Sequence, residues 1–301
     1  MTATATLREV RPDQSAPPRG AGPRGFLVSR VVTTGILVLG ALYCLVPIAW
    51  VVIAATKSRA ELFSTFTMAP GTGLLENIAE LFAYEDGGFL LWAGNSLIYS
   101  GIGALACTLV SAAAGYGLAK YRFRGRAVMM GVLLAGVLVP GITLAIPQYM
   151  VMAHLELANT YWSVLLPSVI SPFAIYLAFI FAAASVPDEV MEAGRIDGAG
   201  EFRIFGQIGL RMMVPGLVTV FLLQFIGIWN NFMLPFIMLS DDRKFPLTMG
   251  LYMMLNRGAS EAALYTLTIT GAAISVIPLL ALVLWLQRFW RLDLLSGGLK
   301  G

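Results

Sequence analysis

Six stretches of the chain, approximately Val31–Ala55, Phe89–Ala119, Ala127–Ile146, Tyr161–Ala184, Met213–Leu239 and Leu264–Leu286, contain no Asp, Glu, Lys, Arg or His. A hydrocarbon core about 30 Å thick is crossed by about 20 apolar residues in a helix. Inside lipid the backbone polar groups are satisfied only within helices or a closed barrel. Uninterrupted apolar runs are not the alternating segments of roughly ten residues that build barrel strands. The expectation is therefore an all-α membrane protein with six transmembrane helices. Composition agrees: 58% of the 301 residues are hydrophobic and 12% charged, against about 25% charged in an ordinary soluble domain.

Charge placement orients the chain. Fifteen of the twenty Lys and Arg residues flank the apolar runs on the side shared by both termini, and five lie on the other. The positive-inside rule then places both termini in the cytoplasm. Residues 1–30, rich in Pro, Arg, Gly and Ala, read as a disordered cytoplasmic tail, residues 31–290 as the membrane domain, and residues 291–301 as a cytoplasmic C-terminal tail. The first run is longer than a signal-peptide core; cleavage after Ile53–Ala55 is the competing reading. Cys44 and Cys107 both fall inside apolar runs, which suits packing residues better than a disulfide or a metal site.

The runs exclude several activities. Proton-coupled transporters keep ionisable groups at membrane depth, and none is present. No phosphate-binding G-x-x-x-x-G-K-[ST] loop, no H-E-x-x-H and no Ser–His pair in a plausible frame occurs, so no catalytic residue and no metal ligand set is expected, and any energy source lies in another subunit. Nothing suggests nucleic acid as a partner. The polar residues at membrane depth are neutral, among them Asn95, Tyr99, Gln224, Trp229, Asn230 and Asn231. They fit interhelical hydrogen bonding and equally fit a path for an uncharged, polyhydroxylated solute. Pro140–Gly141, Pro147, Pro167 and Pro172 interrupt the third and fourth runs, either as ordinary kinks or as broken backbone lining a cavity.

Between the fourth and fifth runs lies a connector, Ser185–Arg211, with five acidic and three basic residues. Pro187, Asp188 and Glu189 signal a helix start. Val190, Ala193 and Ile196 then recur at spacing three, Gly198 falls where a left-handed turn would end the helix, and Phe202, Phe205 and Ile208 recur at spacing three beyond it. The expected result is a helix–turn–helix knob with a second helix from about Gly200–Glu201. Its acidic balance argues against rest on an anionic leaflet, which attracts basic segments, and favours docking of a cytoplasmic protein.

The stretch "EAGRIDGAGEFRIFGQIGL" (Glu192–Leu210) resembles the cytoplasmic signature of the membrane-spanning permease subunits of binding-protein-dependent ABC importers, E-A-A, three residues, G, nine residues, I, one residue, L-P. Glu192, Ala193 and Gly194 match E-A-A, Gly198 the central glycine, and Ile208 and Leu210 the end; Gly194 replaces an alanine, and Arg211 the proline. Asn95–Arg126, Asn159–Phe181, Trp229–Asp241 and Gly297–Gly301 resemble the carbohydrate-uptake branch, similar to the smaller maltose permease. The resemblance implies a coupling helix at Glu192, Ala193, Gly194, Asp197 and Gly198. It also implies a second permease, two copies of an ABC ATPase that bind ATP and Mg, and an extracytoplasmic sugar-binding protein. Sugar would be the cargo, a glycerol-phosphate-type solute the alternative, and a non-transporting receptor or scaffold the reading from another class. Of the external segments, Lys57–Gly88 is acidic, and Asp241–Ala263 carries Met249, Gly250, Asn256 and Gly258 where the maltose-type permease meets its binding protein.

Overall fold

A computed structural model describes residues 23–257 and 262–297, with side chains from 30 to 257 and from 264 to 289. Every regular element among them is helical. The chain divides into two units, residues 1–50 and 51–301. In the first, helix α1 begins at Pro23 and runs on to Ala55, so regular structure starts inside the segment expected to be a disordered tail. A proline at the first helical position sacrifices no hydrogen bond, and the apolar sequence Phe26–Val28 follows after Arg24 and Gly25.

In the second unit the chain continues through α2 (Arg59–Ser64), α3 (Leu74–Ala83), α4 (Gly88–Lys120), α5 (Arg126–Leu138), α6 (Gly141–His154), α7 (Tyr161–Ser168), α8 (Pro172–Ser185), α9 (Asp188–Ile196) and α10 (Glu201–Ile204). A π-helical turn, Phe205–Gly209, leads into α11 (Leu210–Trp229), followed by α12 (Met233–Met238), α13 (Leu247–Arg257) and α14 (Ala262–Gly297). Among the described residues five helical segments are long and apolar enough to span a membrane, and six if the bent pair α5–α6 is one crossing.

That pair corrects the third expected span. Its two halves meet at 103°. Val139 is held extended, at φ −76° and ψ 121°, because the ring of Pro140 excludes the α region from the residue before it. The fourth span is interrupted more mildly. Ser171 leaves helical geometry, its hydroxyl accepts from the amide of Ala174 at 3.3 Å, and Pro172 opens α8. The fifth stops at Trp229 rather than Leu239. There the Asn230 amide donates to the Ile226 carbonyl at 2.9 Å, and Asn231 Oδ1 accepts from Leu234 N at 3.3 Å, so adjacent asparagines close one helix and open the next. The last helix runs on to Gly297 through the segment expected as a tail.

α4, α8 and α11 pack together through small residues. Ala112, Ala178 and Ala182 are fully buried, and a Cβ on Gly115 would stand 2.5 Å from the amide nitrogen of Phe179. Without a hydrophobic driving force between helices in lipid, such close backbone approach supplies much of the attraction. At the end bearing residues 57–87 and 241–257, Phe89, Trp92, Phe245 and Met249 form an apolar cluster; at the other, Tyr116, Met191, Ile204 and Met213 form a second.

Candidate functional site

The connector folds as the helix–turn–helix knob its spacing predicts. Lys120 Nζ donates to Asp188 Oδ1 at 3.0 Å, tying the first turn of α9 to the end of α4, and this bond holds the exposed Asp188 carboxyl below its usual range. Met191 and Gly194 face inward. A Cβ on Gly194 would lie 3.3 Å from Ile204 Cγ1 and 3.4 Å from Ile208 Cδ1, so glycine in place of the signature alanine lets the second segment seat closely on α9.

Gly198 ends the helix at φ +81°. Its amide donates to the Arg195 carbonyl at 3.0 Å, and that of Ala199 to the Gly194 carbonyl at 2.9 Å, the pair of bonds of a Schellman stop. Across the turn Arg195 Nε donates to Glu201 Oε1 at 2.7 Å. Glu201 Oε2 accepts the Tyr121 hydroxyl at 2.7 Å. Burial, and then that carboxylate, push the Tyr121 hydroxyl well above its ordinary pKa.

Glu192, Ala193, Asp197 and Gly198 are all exposed on the outer surface of the knob. Two apolar side chains accompany them, Ile196 at 87% and Phe202 at 94% exposure. The strip Phe202–Phe205–Ile208 is accordingly not one face: Phe205 and Ile208 pack against the Tyr116 cluster while Phe202 stands clear. The π turn at Phe205–Gly209 shifts the register, and Gly209 permits it by lying where a Cβ would come within 2.7 Å of the Tyr116 ring.

The neutral polar residues separate into two groups. Asn95 and Tyr99 are buried with their polar atoms engaged. Asn95 Nδ2 donates to the carbonyls of Arg243 at 2.8 Å and Phe245 at 3.0 Å, its Oδ1 accepts the Tyr161 hydroxyl at 2.8 Å, and the Tyr99 hydroxyl donates to the Lys244 carbonyl at 3.0 Å. Trp229 is buried against Phe225, ring centroids 5.9 Å apart. These three hold the fold rather than face a path. Gln224 and Asn231 instead line a cavity of about 460 Å³, with Gln148, Ser168 and Ser171. It lies where the α5–α6, α7–α8 and α11–α12 breaks converge, and none of its lining residues is charged. Asn230 is exposed beside it. Gln148 was missed because it follows Pro147, in what reads as the end of a span.

At the opposite end Met249 and Gly250 are buried, Gly250 so tightly that a Cβ would fall 2.1 Å from Trp92 Cδ2. They are core, which corrects their assignment to a contact loop; Asn256 is exposed, and Gly258 lies outside the described residues. Arg257 pairs with Glu85 and donates to the Tyr84 hydroxyl at 3.2 Å, clamping a turn in which Glu85, Asp86 and Gly87 all have positive φ. Among the described residues no cluster of three His, Cys, Asp or Glu side chains is placed to hold a metal.

A chain of bent and broken membrane helices with a charged knob between the fourth and fifth spans is the architecture of an importer's membrane subunit, and the comparisons agree. Residues 108–291 match the family described as binding-protein-dependent transport system inner membrane component. The chain is 32% identical to the arabinooligosaccharides transport system permease protein AraQ of Halalkalibacterium halodurans, across 91% of this chain and 98% of that one. It is 30% identical to the diacetylchitobiose uptake system permease protein NgcG of Streptomyces coelicolor, across 85% and 84%. In structure it is similar to a bacterial ABC transporter involved in the import of the acidic polysaccharide alginate, with a TM-score of 0.73 and 22% identity over 91% of this chain and 99% of that one. The protein belongs to the binding-protein-dependent transport system inner membrane component family and is a multi-pass inner-membrane permease subunit.

Proposed function

We propose that this subunit forms half of the translocation pathway of an ATP-driven sugar importer, with a di- or oligosaccharide as cargo, and that both termini and the knob are cytoplasmic. The observation that carries the reading is the uncharged cavity at the convergence of three helix breaks, in which Gln148, Ser168, Ser171, Gln224 and Asn231 stand among apolar walls. Amide and hydroxyl groups there exchange hydrogen bonds with sugar hydroxyls at membrane depth, where irregular backbone is tolerated only beside a cavity. The relatives named for arabinooligosaccharides and diacetylchitobiose support the cargo class. A phosphate-bearing solute calls for Arg or Lys, and the cavity has neither.

A second permease supplies the facing wall, an extracytoplasmic binding protein delivers the sugar, and two ATPase subunits bind ATP and Mg; this chain carries no cofactor and performs no hydrolysis. Closure of the motor dimer pulls the knob through Glu192, Asp197 and Gly198 and rocks the attached spans between inward-open and outward-open states. The test is purification of the native complex in mild detergent, reconstitution into liposomes, and assay of labelled oligosaccharide uptake with ATP inside. Co-purification of an ATPase, and hydrolysis that rises with sugar-loaded binding protein, are expected. A complex without an ATPase, or one whose hydrolysis ignores the sugar, overturns the proposal in favour of a receptor or scaffold.

A further inference from the structure

The segment between α1 and α3, residues 57–73, is turned inside out. Lys57 is 2% exposed, whereas Phe63 is 71% and Phe66 75% exposed. Lys57 Nζ donates to the Phe66 carbonyl at 2.7 Å, so a single hydrogen bond joins the buried cation to a residue whose ring stands clear of the protein. In water the usual arrangement is the reverse, since Lys is almost never fully buried and Phe is among the residues most often inside. The inversion points to surroundings of low polarity on the side where the rings lie.

The segment is wound tightly onto the end of α1. Gly73 N donates to the Thr56 carbonyl at 2.7 Å and Gly71 N to Thr56 Oγ1 at 2.9 Å. Asn77 Nδ2 donates to the carbonyls of Ala55 and Lys57, each at 2.9 Å. A Cβ on Gly71 would stand 2.6 Å from Lys57 Cα, so only glycine allows the closure. Ser58 and Glu61 form a capping box that starts α2. Phe66 is thereby held within one lysine side chain of the end of a membrane span that closes at Ala55. The headgroup region extends only about 5–7 Å beyond the hydrocarbon on each face, so the rings are within reach of it. Charge agrees, because Lys57 and Arg59 outnumber Glu61 in this segment.

We propose that residues 57–73 form a membrane-surface anchor, with the Phe63 and Phe66 rings inserted among the lipids of the leaflet at the end of the bundle opposite the knob. Apolar side chains of interfacial elements enter the boundary between headgroups and acyl chains by about 5–10 Å. Arg59, exposed at the start of α2, keeps its charge among the headgroups while its stem covers apolar surface. The Lys57 bond fixes the backbone at Phe66 so that its ring faces lipid. Such an anchor sets the depth of the junction between α1 and α3. It rests on the inner-membrane assignment and not on the coupling role of the knob.

The test is nitroxide labelling and electron paramagnetic resonance of the purified complex in phospholipid nanodiscs. Cys44→Ser and Cys107→Ala remove the native thiols, and Phe63→Cys or Phe66→Cys carries the label. Val52→Cys, exposed on the last turn of α1, supplies the lipid reference, and Asn256→Cys, exposed on α13, the water reference. At 63 and 66 the preference for relaxation by oxygen over a water-soluble nickel chelate should be several-fold that at 256 and approach that at 52. Lys57→Met, which removes the bond to Phe66, should move the label at 66 toward the water reference and leave the label at 52 unchanged. Labels at 63 and 66 that match the one at 256 would overturn the proposal. So would shielding from both relaxing agents, which would mean that another subunit covers the rings, or shielding that appears only when the sugar-binding protein is added, which would assign them to docking. A label at 66 indifferent to Lys57→Met would also overturn it. The readout is depth rather than transport, so the importer reading and the anchor fail separately.

Discussion

Arg195 and Glu201 close the Gly198 turn from either side, Nε to Oε1 at 2.7 Å, while the other carboxylate oxygen is fixed by Tyr121 from the end of α4. The pair is nearly half exposed, so solvent screens it and it adds little to stability. Its larger effect is positional, because it sets where Ile196 and Phe202 stand relative to the turn. Glu201→Ala should shift the thermal midpoint of the complex by no more than about 4 °C but lower the number of sugars imported per ATP hydrolysed. Parallel uptake and hydrolysis assays in proteoliposomes check this; a ratio equal to wild type would show that the clasp does not set the knob.

Gly198 distinguishes backbone from charge. Its φ of +81° penalises any side chain, yet a Cβ there meets nothing within 4 Å. Gly198→Ala should cost roughly 1–2 kcal/mol through the left-handed backbone alone, whereas Asn and Asp tolerate that region better. Gly198→Asn should therefore retain most uptake, and Gly198→Asp should uncouple hydrolysis from uptake while inserting normally. Equal activity of the Asn and Asp variants would remove charge as the cause.

The tie between Lys120 and Asp188 has a definite pH window. Asp188 has a lowered pKa in the folded protein, so its stabilisation is fully present above the ordinary carboxylate value near 3.9 and is lost only as pH falls through the lowered value. Between pH 5.5 and 8 the tie stays intact. Asp188→Asn should leave the shape of the uptake profile over that range unchanged while lowering its height, which a pH series of initial uptake rates reads directly.

Much of this was legible from residues. Ionisable-free runs located the spans, and Gly198 with its acidic flanks located the knob, because both signals are local. The reversal at Val139–Pro140 was legible only as a break, since proline excludes the α region from Val139 but the direction of the next helix depends on the surfaces it meets. The place of Asn95 and Tyr99 was left open between packing and path for a related reason. Their partners are carbonyls of Arg243, Lys244 and Phe245, about 145–150 residues away, and no spacing within α4 announces them. Gly250 carries no local sign that Trp92 occupies the place of its side chain.

Asn95 provides the sharpest test of that placement. Replacing it by alanine strands the Arg243 and Phe245 carbonyls and the Tyr161 hydroxyl, and each buried group left unpaired costs about 1–3 kcal/mol. Asn95→Ala should lower the thermal midpoint by well over 5 °C, and Tyr99→Phe by less, since it frees one carbonyl. Gln224→Ala should do the opposite, raising the KM for sugar while leaving the midpoint near wild type. Differential scanning fluorimetry beside uptake kinetics separates them, and an Asn95→Ala protein of normal stability with altered KM would return Asn95 to the solute path.

Gly250 and Gly94 make a matched pair. Both are helical glycines, but a Cβ on Gly250 would overlap Trp92, whereas one on Gly94 meets nothing within 4 Å. Trp92 has no easy escape: it is 4% exposed, and its indole N–H donates to the Asp242 carbonyl at 3.1 Å. Gly250→Ala must shift α13 or break that bond, an overpacking that costs about 1–3 kcal/mol. Gly94→Ala should instead gain roughly 0.5–1 kcal/mol from reduced backbone freedom. Thermal midpoints of the purified subunit should therefore move in opposite directions. Because α13 follows the loop that Asn95 and Tyr99 anchor, Gly250→Ala should also weaken binding-protein-stimulated hydrolysis without altering basal hydrolysis. A Gly250→Ala variant as stable as wild type would mean that Trp92 moves freely and that this end of the bundle is looser than its packing indicates.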